Sequence, residues 1–512
     1  MAGELGGTRL ADQQPLMSGG LNSISDDIAL TPTQLRKAIN ARLTDYGAVT
    51  KRGGTQRTSS AALASVPVLN GYTWRKDGGT QQIMVVCNGL LHTATFGAFP
   101  MTYTAQTGAL STTVPPEFVQ FRDASADVVY IADGGTINKW NGTTLTTSGI
   151  GGTANVSSVV VHNERLWAAG DPSFPDSIFY SALNNGDTLS NGASGGGQII
   201  VRTHGDETVV GLATVNTSLL IFHRRGISRL TGYGQDDITV APASITADVG
   251  TIAPKSIVSV GNVAFFLSER GLYRCNEAEV MAVGSVETPD PLLPIIRSLT
   301  SVQFGNIRAQ FNRATRELWI TMPGYGVYVY HTILNAWSGP FDTGYTSPDT
   351  TALFETLDSA GLPILLKGDA SGWVSICDAP SIYLDNVAAN GTGGTRYSMT
   401  VQLHRMYCGD DALAKSLRWG YVTGNLRGAD QCSVRWTTGT STGSYALPPT
   451  AFGVWGTGVW NPATLWSTGS SKNYRIPMGG TGYYTDVEII DSSAALPVIS
   501  RVQLEQFSLG RR

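Results

Sequence analysis

Six basic side chains fall within residues 31–58 of a chain that is otherwise poor in charge. With one acidic residue, Asp45, among them, the local charge is +5. The basic residues are Arg36, Lys37, Arg42, Lys51, Arg52 and Arg57. Guanidinium and ammonium groups in such numbers bind phosphate or an acidic neighbouring subunit. The stretch therefore predicts contact with DNA or a protein partner, and pairing of these charges inside the fold is the alternative.

Three tryptophans lie close together near the C-terminal end, in a stretch rich in Gly and Pro that predicts a long loop. They are Trp455, Trp460 and Trp466. Exposed indoles on a loop would form a contact surface for a partner. A cluster packed within the loop is the alternative, because large aromatic rings gain most by burial.

Sequence patterns of several common catalytic sites are absent. No phosphate-binding loop and no His-Glu-x-x-His zinc motif occurs. The 6 histidines are scattered along the chain, and neither they nor the 5 cysteines have the spacing of a metal site. We therefore expect a protein that is not an enzyme and that uses no metal or cofactor.

The composition indicates a chain built from many short strands. At 512 residues it implies two or more domains, and its 42% hydrophobic residues are enough to give each a core. Only 14% of the residues are charged, whereas 60 are glycine, which supplies tight turns between strands. The formal net charge of −4 provides no overall attraction for nucleic acid, so any basic surface must be local.

Targeting signals are not visible in the sequence. The N-terminus lacks a basic region followed by an apolar one, so we expect no secretory signal. No apolar run approaches the roughly 18 residues that a membrane-spanning helix requires. The scattered and odd-numbered cysteines indicate buried, reduced thiols in a protein made in a reducing cytoplasm.

Residues 1–60 are predicted to form an extended arm followed by a docking helix. Thr31 is a good N-cap, Pro32 suits the first helical position, and Gln34 stands where a capping box requires it. The apolar face of this helix would contain Leu35, Ala38, Ile39 and Leu43. The helix is expected to end near Thr44.

Seven hairpin-like units recur between residues 61 and 384. They occupy residues 83–91, 128–140, 165–181, 219–227, 264–272, 317–337 and 364–376. Their turn glycines recur every 45 to 53 residues, for example from Gly89 to Gly134 and from Gly271 to Gly324. A four-stranded propeller blade has this size. The fold class is therefore predicted as all-β, with a β-propeller of about seven blades, and a pair of β-sandwiches is the alternative.

Residues 385–512 are predicted to form a C-terminal antiparallel β-sandwich. A linker rich in Gly, Thr and Asn at residues 390–395 marks the boundary. Strands with alternating polar and apolar residues follow. They are expected at residues 397–402, 416–423, 432–437, 473–477, 485–490 and 499–507.

Several segments resemble a known family. Residues 19–22, 25–27 and 42–55 are similar to the opening of propeller-type tail proteins of short-tailed phages, which include tail nozzle (tail tubular) and tail hub proteins. The blade segment His162–Trp167, taken with Tyr180 and Ser181, resembles the same proteins. So do the segments 253–257 and 265–273, and the C-terminal residues 504–505 and 509–512. These similarities are short but are spread over most of the chain.

This resemblance implies a structural role in a virion. Such a protein would form a homo-oligomeric ring of about six copies in a phage tail, assembled in the host cytoplasm, and the ring would be a conduit for DNA ejection. Its partners would be neighbouring tail or adaptor proteins and passing double-stranded DNA, which it would contact without sequence specificity. Contact with the host envelope is a further expectation. The N-terminal arm and helix would dock onto the adjacent protein.

Two other functions remain open from the sequence. A tail protein that binds a receptor or a host-surface glycan would explain exposed tryptophans, although the repeated Asp-containing turns of sialidase-type propellers are absent. A head–tail connector component would share the ring but contact the portal.

Overall fold

The structure is a computed structural model. It describes residues 9–14, 17–79, 81–123, 126–147, 150, 152–190, 192–202, 207–231, 243–285, 289–379, 381–408, 411–425, 432–447, 472–494 and 497–508. Nearly all of its regular structure is antiparallel β-sheet.

Seven antiparallel four-stranded units follow one another along the chain and form the blades of a β-propeller. Blade 1 contains Val68–Arg75, Gln81–Cys87, Leu90–Ala94 and Thr104–Ala105. Blade 2 contains Glu117–Asp123, Ala126–Ala132, Asn138–Trp140 and Leu145–Thr146. Blade 3 contains Ser158–His162, Arg165–Ala169, Ser177–Tyr180 and Gly197–Ile200. Blade 4 contains Val209–Val215, Ser218–His223, Ile227–Thr231 and Ala243–Thr246.

The remaining three blades complete the ring. Blade 5 contains Val258–Val260, Val263–Ser268, Gly271–Cys275 and Val280–Ala282. Blade 6 contains Ala309–Asn312, Glu317–Met322, Gly326–His331 and Ala336–Phe341. Blade 7 contains Thr350–Leu357, Pro363–Asp369, Val374–Ala379 and, as its outer strand, Gly54–Arg57. The predicted propeller is confirmed, and each predicted hairpin falls on the second and third strands of one blade.

The first strand of every blade is its inner strand and faces the centre of the propeller. The ring closes where the inner strand of blade 7 packs against that of blade 1. Thr350–Leu357 packs beside Val68–Arg75. Gly71 permits this approach, since a Cβ at that position would lie 2.3 Å from a ring carbon of Phe354. The N-terminal strand Gly54–Arg57 pairs with Val374–Ala379 of blade 7, so both ends of the propeller segment are fastened in one blade.

The C-terminal region is a sandwich of two sheets, and strands from the N-terminal segment take part in both. One sheet contains Lys472–Pro477, Lys415–Asn425, Val498–Ser508, Val49–Lys51 and Ala41–Leu43, with Arg9–Gln14 and Thr481–Gly482 at its sides. The other contains Gln34–Ile39, Met399–Leu403, Thr485–Asp491, Cys432–Thr438 and Thr442–Ala446, with Gly20–Leu21 beside the first of them. Their inner faces share one apolar core, which also includes residues of blade 6.

The predicted docking helix at residues 31–44 is wrong, because this segment forms the strands Gln34–Ile39 and Ala41–Leu43. The capping interaction does form: Thr31 N–H donates to Gln34 Oε1 at 3.0 Å, but it stabilises a turn that leads into a strand. Leu35 and Ala38 are buried against Met399–Leu403, and pairing of Ala38 with Gly339 joins the sandwich sheet to blade 6. Tertiary pairing overrides the local helical pattern.

Helices are few and short in the described part of the chain. The α-helices are Leu293–Ile296 and Ser301–Gly305, and the 3₁₀ turns are Gly186–Thr188, Gly192–Ser194 and Pro254–Ser256. Both α-helices lie between blades 5 and 6. None of the helices described is long and apolar enough to cross a membrane.

Candidate functional site

Arg52, one of the predicted contact residues, is completely buried where the propeller meets the sandwich. Its guanidinium donates to both carboxylate oxygens of Asp385 at 2.8 and 2.6 Å. The rings of Tyr345 and Tyr397 lie 4.8 and 3.9 Å from its Cζ. Burial lowers the pKa of Arg52, but the hydrogen bonds and charge of Asp385 outweigh burial and raise it overall. This side chain stays charged and is not available to DNA.

Lys51 is buried on the sandwich side of the same junction. Its Nζ donates to the Ser493 carbonyl at 2.6 Å and lies 3.6 Å from a carboxylate oxygen of Asp491. Burial lowers the pKa of Lys51 and raises that of Asp491, which indicates that burial dominates over their mutual attraction. The prediction of surface contact is therefore wrong for Lys51, as it is for Arg52.

Arg42 joins the N-terminal segment to two blades. Its Nε donates to Glu317 Oε1 of blade 6 at 2.7 Å, and its Nη1 forms an ion pair with Asp378 of blade 7. Burial lowers the pKa of Arg42, and the two carboxylates together raise it by more. Most of the positive charge of Arg42 is thus compensated within the protein.

The three remaining basic residues are more exposed but also have partners within the chain. Arg36 Nε lies 3.2 Å from Asp27, and Lys37 Nζ lies 3.3 Å from Glu488. The guanidinium of Arg57 stacks over the ring of Trp373 with its Cζ 3.8 Å from the ring centre. The structure therefore buries Lys51 and Arg52 and pairs Arg42 internally, whereas Arg36, Lys37 and Arg57 stay partly exposed beside partners in the chain.

The predicted aromatic contact residues lie outside the described residues. Trp455, Trp460 and Trp466 all belong to the segment 448–471.

A central cavity of about 630 Å³ lies between the seven inner strands, with lining residues from every blade. Where the inner strands begin, Lys255 of the turn before blade 5 extends over the cavity. Its Nζ lies 2.7 Å from Glu117 Oε1 of blade 2 and 2.7 Å from the Ser157 carbonyl. Blades 2 and 5 stand three positions apart in a ring of seven, so this contact spans the mouth of the cavity.

Arg308, just before the inner strand of blade 6, lines the same end of the cavity. Its Nη1 donates to the carbonyls of Gly305 and Ile307 at 2.7 and 2.9 Å. Burial lowers the pKa of Arg308 to about 10, and the charge of Glu117 opposes this only in part. Burial also lowers the pKa of Lys255, again against the attraction of Glu117.

The opposite end of the cavity has a different character. Arg313 forms an ion pair with Glu355 at 3.2 Å, and two-thirds of the Arg313 side chain is exposed. Nearer the Lys255 end, the rings of Tyr72 and Phe118 stack with centroids 5.6 Å apart, since Phe118 directly follows Glu117. The two glutamates that line the cavity, Glu117 and Glu355, each pair with a cation, so neither forms part of a carboxylate dyad there.

A second, shallower groove of about 590 Å³ lies on the outer face of the sandwich. Lys37, Arg435 and Glu488 line it. Trp436, also at this groove, is buried, and its ring fills the space a side chain at Gly443 would need. Within the described residues no group of three His, Cys, Asp or Glu side chains is placed to hold a metal ion.

The pattern Gly-x-Ser-x-Gly of nucleophilic serines occurs twice, at residues 192–196 and 439–443. A serine nucleophile of that kind requires a sharp turn from a strand into a helix. Ser194 instead ends a 3₁₀ turn, and Ser441 lies in a hairpin turn, where its hydroxyl approaches Thr438 and the Gly479 carbonyl. Neither serine has the surroundings of a catalytic nucleophile.

The cavity residues Glu117, Lys255 and Arg308 were missed by sequence reasoning because each is an isolated charge far from the others in the chain. Their common signal is position: each lies at or just before the start of an inner strand. An alignment of the blades to one another would place the three at the same end of the propeller.

No protein-family model and no curated protein matches the chain. Among solved structures, the extracellular domain of a hybrid two-component system from B. thetaiotaomicron has a TM-score of 0.41 at 13% identity, over 64% of this chain and 42% of that chain. The WD40 domain of Pan2 from Neurospora crassa has a TM-score of 0.40 at 9% identity, over 66% of this chain and 98% of that domain. The chain spans less than half of the first of these structures. By its own sheet topology, the protein is a seven-bladed β-propeller joined to a β-sandwich.

Proposed function

We propose that this protein is a structural component of a phage tail, a nozzle or hub subunit. In this proposal it forms a homo-oligomeric ring of about six copies that is a conduit for DNA ejection. It is assembled in the host cytoplasm, becomes part of the virion tail, and contacts neighbouring tail or adaptor proteins.

The observation that carries the proposal is the structural position of the segment 42–55, where the resemblance to tail proteins is most extended. This segment contains Arg42, Lys51 and Arg52, which bind blades 6 and 7 and the sandwich through internal ion pairs. Residues that hold two domains rigidly together suit a subunit that must withstand force. Burial of a charge network carries a large desolvation penalty, so we expect such a network where the relative position of two domains matters.

In a tail conduit, DNA would pass between the copies of the ring and not through the propeller itself. The Lys255–Glu117 contact spans the cavity mouth. Internal pairing of the basic stretch also removes a strong phosphate-binding face, which suits a channel that must release DNA. We expect the assembled ring not to retain duplex DNA at physiological salt.

Mass photometry of the purified chain, alone and then with its neighbouring tail protein, tests this proposal. A particle of about six copies, formed alone or with the partner, would support a nozzle or hub. A ring that assembles only with the portal would instead indicate a head–tail connector.

A screen against immobilised oligosaccharides in the same preparation addresses the remaining alternative. Saturable glycan binding by a chain that stays monomeric or trimeric with every tail partner would overturn the conduit in favour of receptor recognition.

A further inference from the structure

Arg308 is a buried cation with hydrogen-bonding capacity that the protein does not use. Only 5% of the residue is exposed, yet it lines the central cavity. Its Nη1 is held by two backbone carbonyls, whereas its Nε has no hydrogen-bond acceptor among the residues described. A buried donor left without a partner costs about 1–3 kcal/mol, and more when the group is charged.

The charge around Arg308 is also unbalanced. Lys255 and Glu117 form an ion pair with each other, so the positive charge of Arg308 is left over in this group of three. Both cations have a lowered pKa, as expected where burial of positive charge is incompletely compensated. An anion seated beside Arg308 would supply the missing charge.

The lining of the cavity is mixed, and apolar side chains stand beside the cations at this end. Val159, Leu212 and Ile257 line the cavity together with Lys255 and Arg308. The volume of about 630 Å³ falls within the range of small-molecule sites. This combination suits an anion that has an apolar body better than it suits a fully hydrated inorganic ion.

We propose that the propeller cavity binds a small organic carboxylate, with its carboxylate group beside the Arg308 guanidinium and its apolar body against the neighbouring blades. Arginine binds carboxylates through charge-assisted hydrogen bonds, and the Arg308 guanidinium has no carboxylate partner of its own among the residues described. The inference is independent of the role in a phage tail and stands on the cavity alone.

Isothermal titration calorimetry of the full chain with benzoate, acetate and phosphate tests the site, with ionic strength held constant by chloride. We expect saturable binding of the two carboxylates, with benzoate the tighter because of its ring. Arg308→Gln should weaken binding by about tenfold or more, the usual effect of losing a charged hydrogen-bond partner. Arg122→Gln is the control and should leave the affinity unchanged, because its exposed ion pair with Asp77 lies outside the cavity lining.

A second measurement keeps the proposal testable if Arg308→Gln does not fold. Crystals of the wild-type chain soaked with 4-bromobenzoate should give an anomalous bromine signal inside the central cavity. Binding of phosphate alone would overturn the assignment of an organic ligand. Absence of saturable carboxylate binding, equal affinity in a folded Arg308→Gln variant, or bromine found only elsewhere would overturn the site.

Discussion

Arg52 and Asp385 show how a charged side chain can become part of a protein interior. Both are fully buried. The guanidinium donates two hydrogen bonds to Asp385 and three more to Asn40, Gly53 and Thr343, and two tyrosine rings flank it. Each charge is costly to bury alone, and the pair is tolerated because every strong donor and acceptor is matched. Removing one partner therefore leaves the other as an uncompensated buried charge, which destabilises the folded state.

Arg52→Met should lower the free energy of unfolding by about 3–5 kcal/mol, because Asp385 would be left as an uncompensated buried charge. Arg36→Ala is the control, since its ion pair with Asp27 is about a third exposed and should contribute no more than about 1 kcal/mol. Urea unfolding followed by tryptophan fluorescence measures both. Equal effects of the two substitutions would contradict a structural role for Arg52.

The raised pKa of the buried Asp290 carboxyl predicts how the free energy of unfolding changes with pH. Burial raises its pKa from 3.8 to about 6, while hydrogen bonds from the Leu272 and Leu292 amides oppose the shift. The folded state therefore holds this proton more tightly than the unfolded state does. Stability should fall as pH rises from about 4 to about 6, by an amount on the order of 3 kcal/mol from this group.

Asp290→Asn should flatten this part of the stability curve, as measured by thermal unfolding at several pH values. Asp248→Asn is the control, because Asp248 is exposed and Arg270 lowers its pKa. If Asp290→Asn shows the same loss of stability as the wild type between about pH 4 and pH 6, the loss does not come from Asp290.

The internal role of the basic residues could not be predicted from the sequence, because their partners are distant in it. Arg42 pairs with residues 275 and 336 positions away, and Arg52 pairs with one 333 positions away. A local charge count contains no information about such contacts. For Arg42, Lys51 and Arg52 the structure adopts the alternative of internal pairing, which the sequence left open.

At the scale of elements, the propeller was predictable because its signals are local. Each hairpin combines alternating apolar residues with a turn, as at Gly89 and Gly271, where φ is positive and glycine is favoured. The strands of the sandwich were placed within a few residues for the same reason. The strands at residues 31–44 were not predicted, because their pairing with Met399–Leu403 depends on residues more than 350 positions away.

The strand Gly54–Arg57 should be essential to the closure of the propeller. A Cβ at Gly54 would lie 2.0 Å from the Leu384 carbonyl oxygen, and this backbone atom cannot move without disturbing the strand. Gly54→Ala should therefore lower stability by about 1–3 kcal/mol. Gly97→Ala is the matched control, because a Cβ there meets no atom within 4 Å.

Thermal unfolding of the two glycine variants makes the comparison. A melting temperature for Gly54→Ala that matches Gly97→Ala would mean that the N-terminal strand is loosely attached, as a detachable docking arm would be.

At the scale of the whole molecule, the N-terminal segment makes the propeller and the sandwich parts of one body. It contributes a strand to blade 7 and strands to both sandwich sheets, and one of these strands, Gln34–Ile39, pairs with the outer strand of blade 6. Relative motion of the two domains would have to break sheet hydrogen bonds as well as buried ion pairs. A rigid subunit of this kind suits a ring that must keep its lumen open under load.

Cryo-electron microscopy of the particle formed with the neighbouring tail protein tests the central claim most directly. The account predicts a ring of about six copies whose axial lumen lies between subunits, with each propeller cavity off the axis and bridged by Lys255. A particle of isolated copies that present the propeller cavity outward, with no shared lumen, would contradict it.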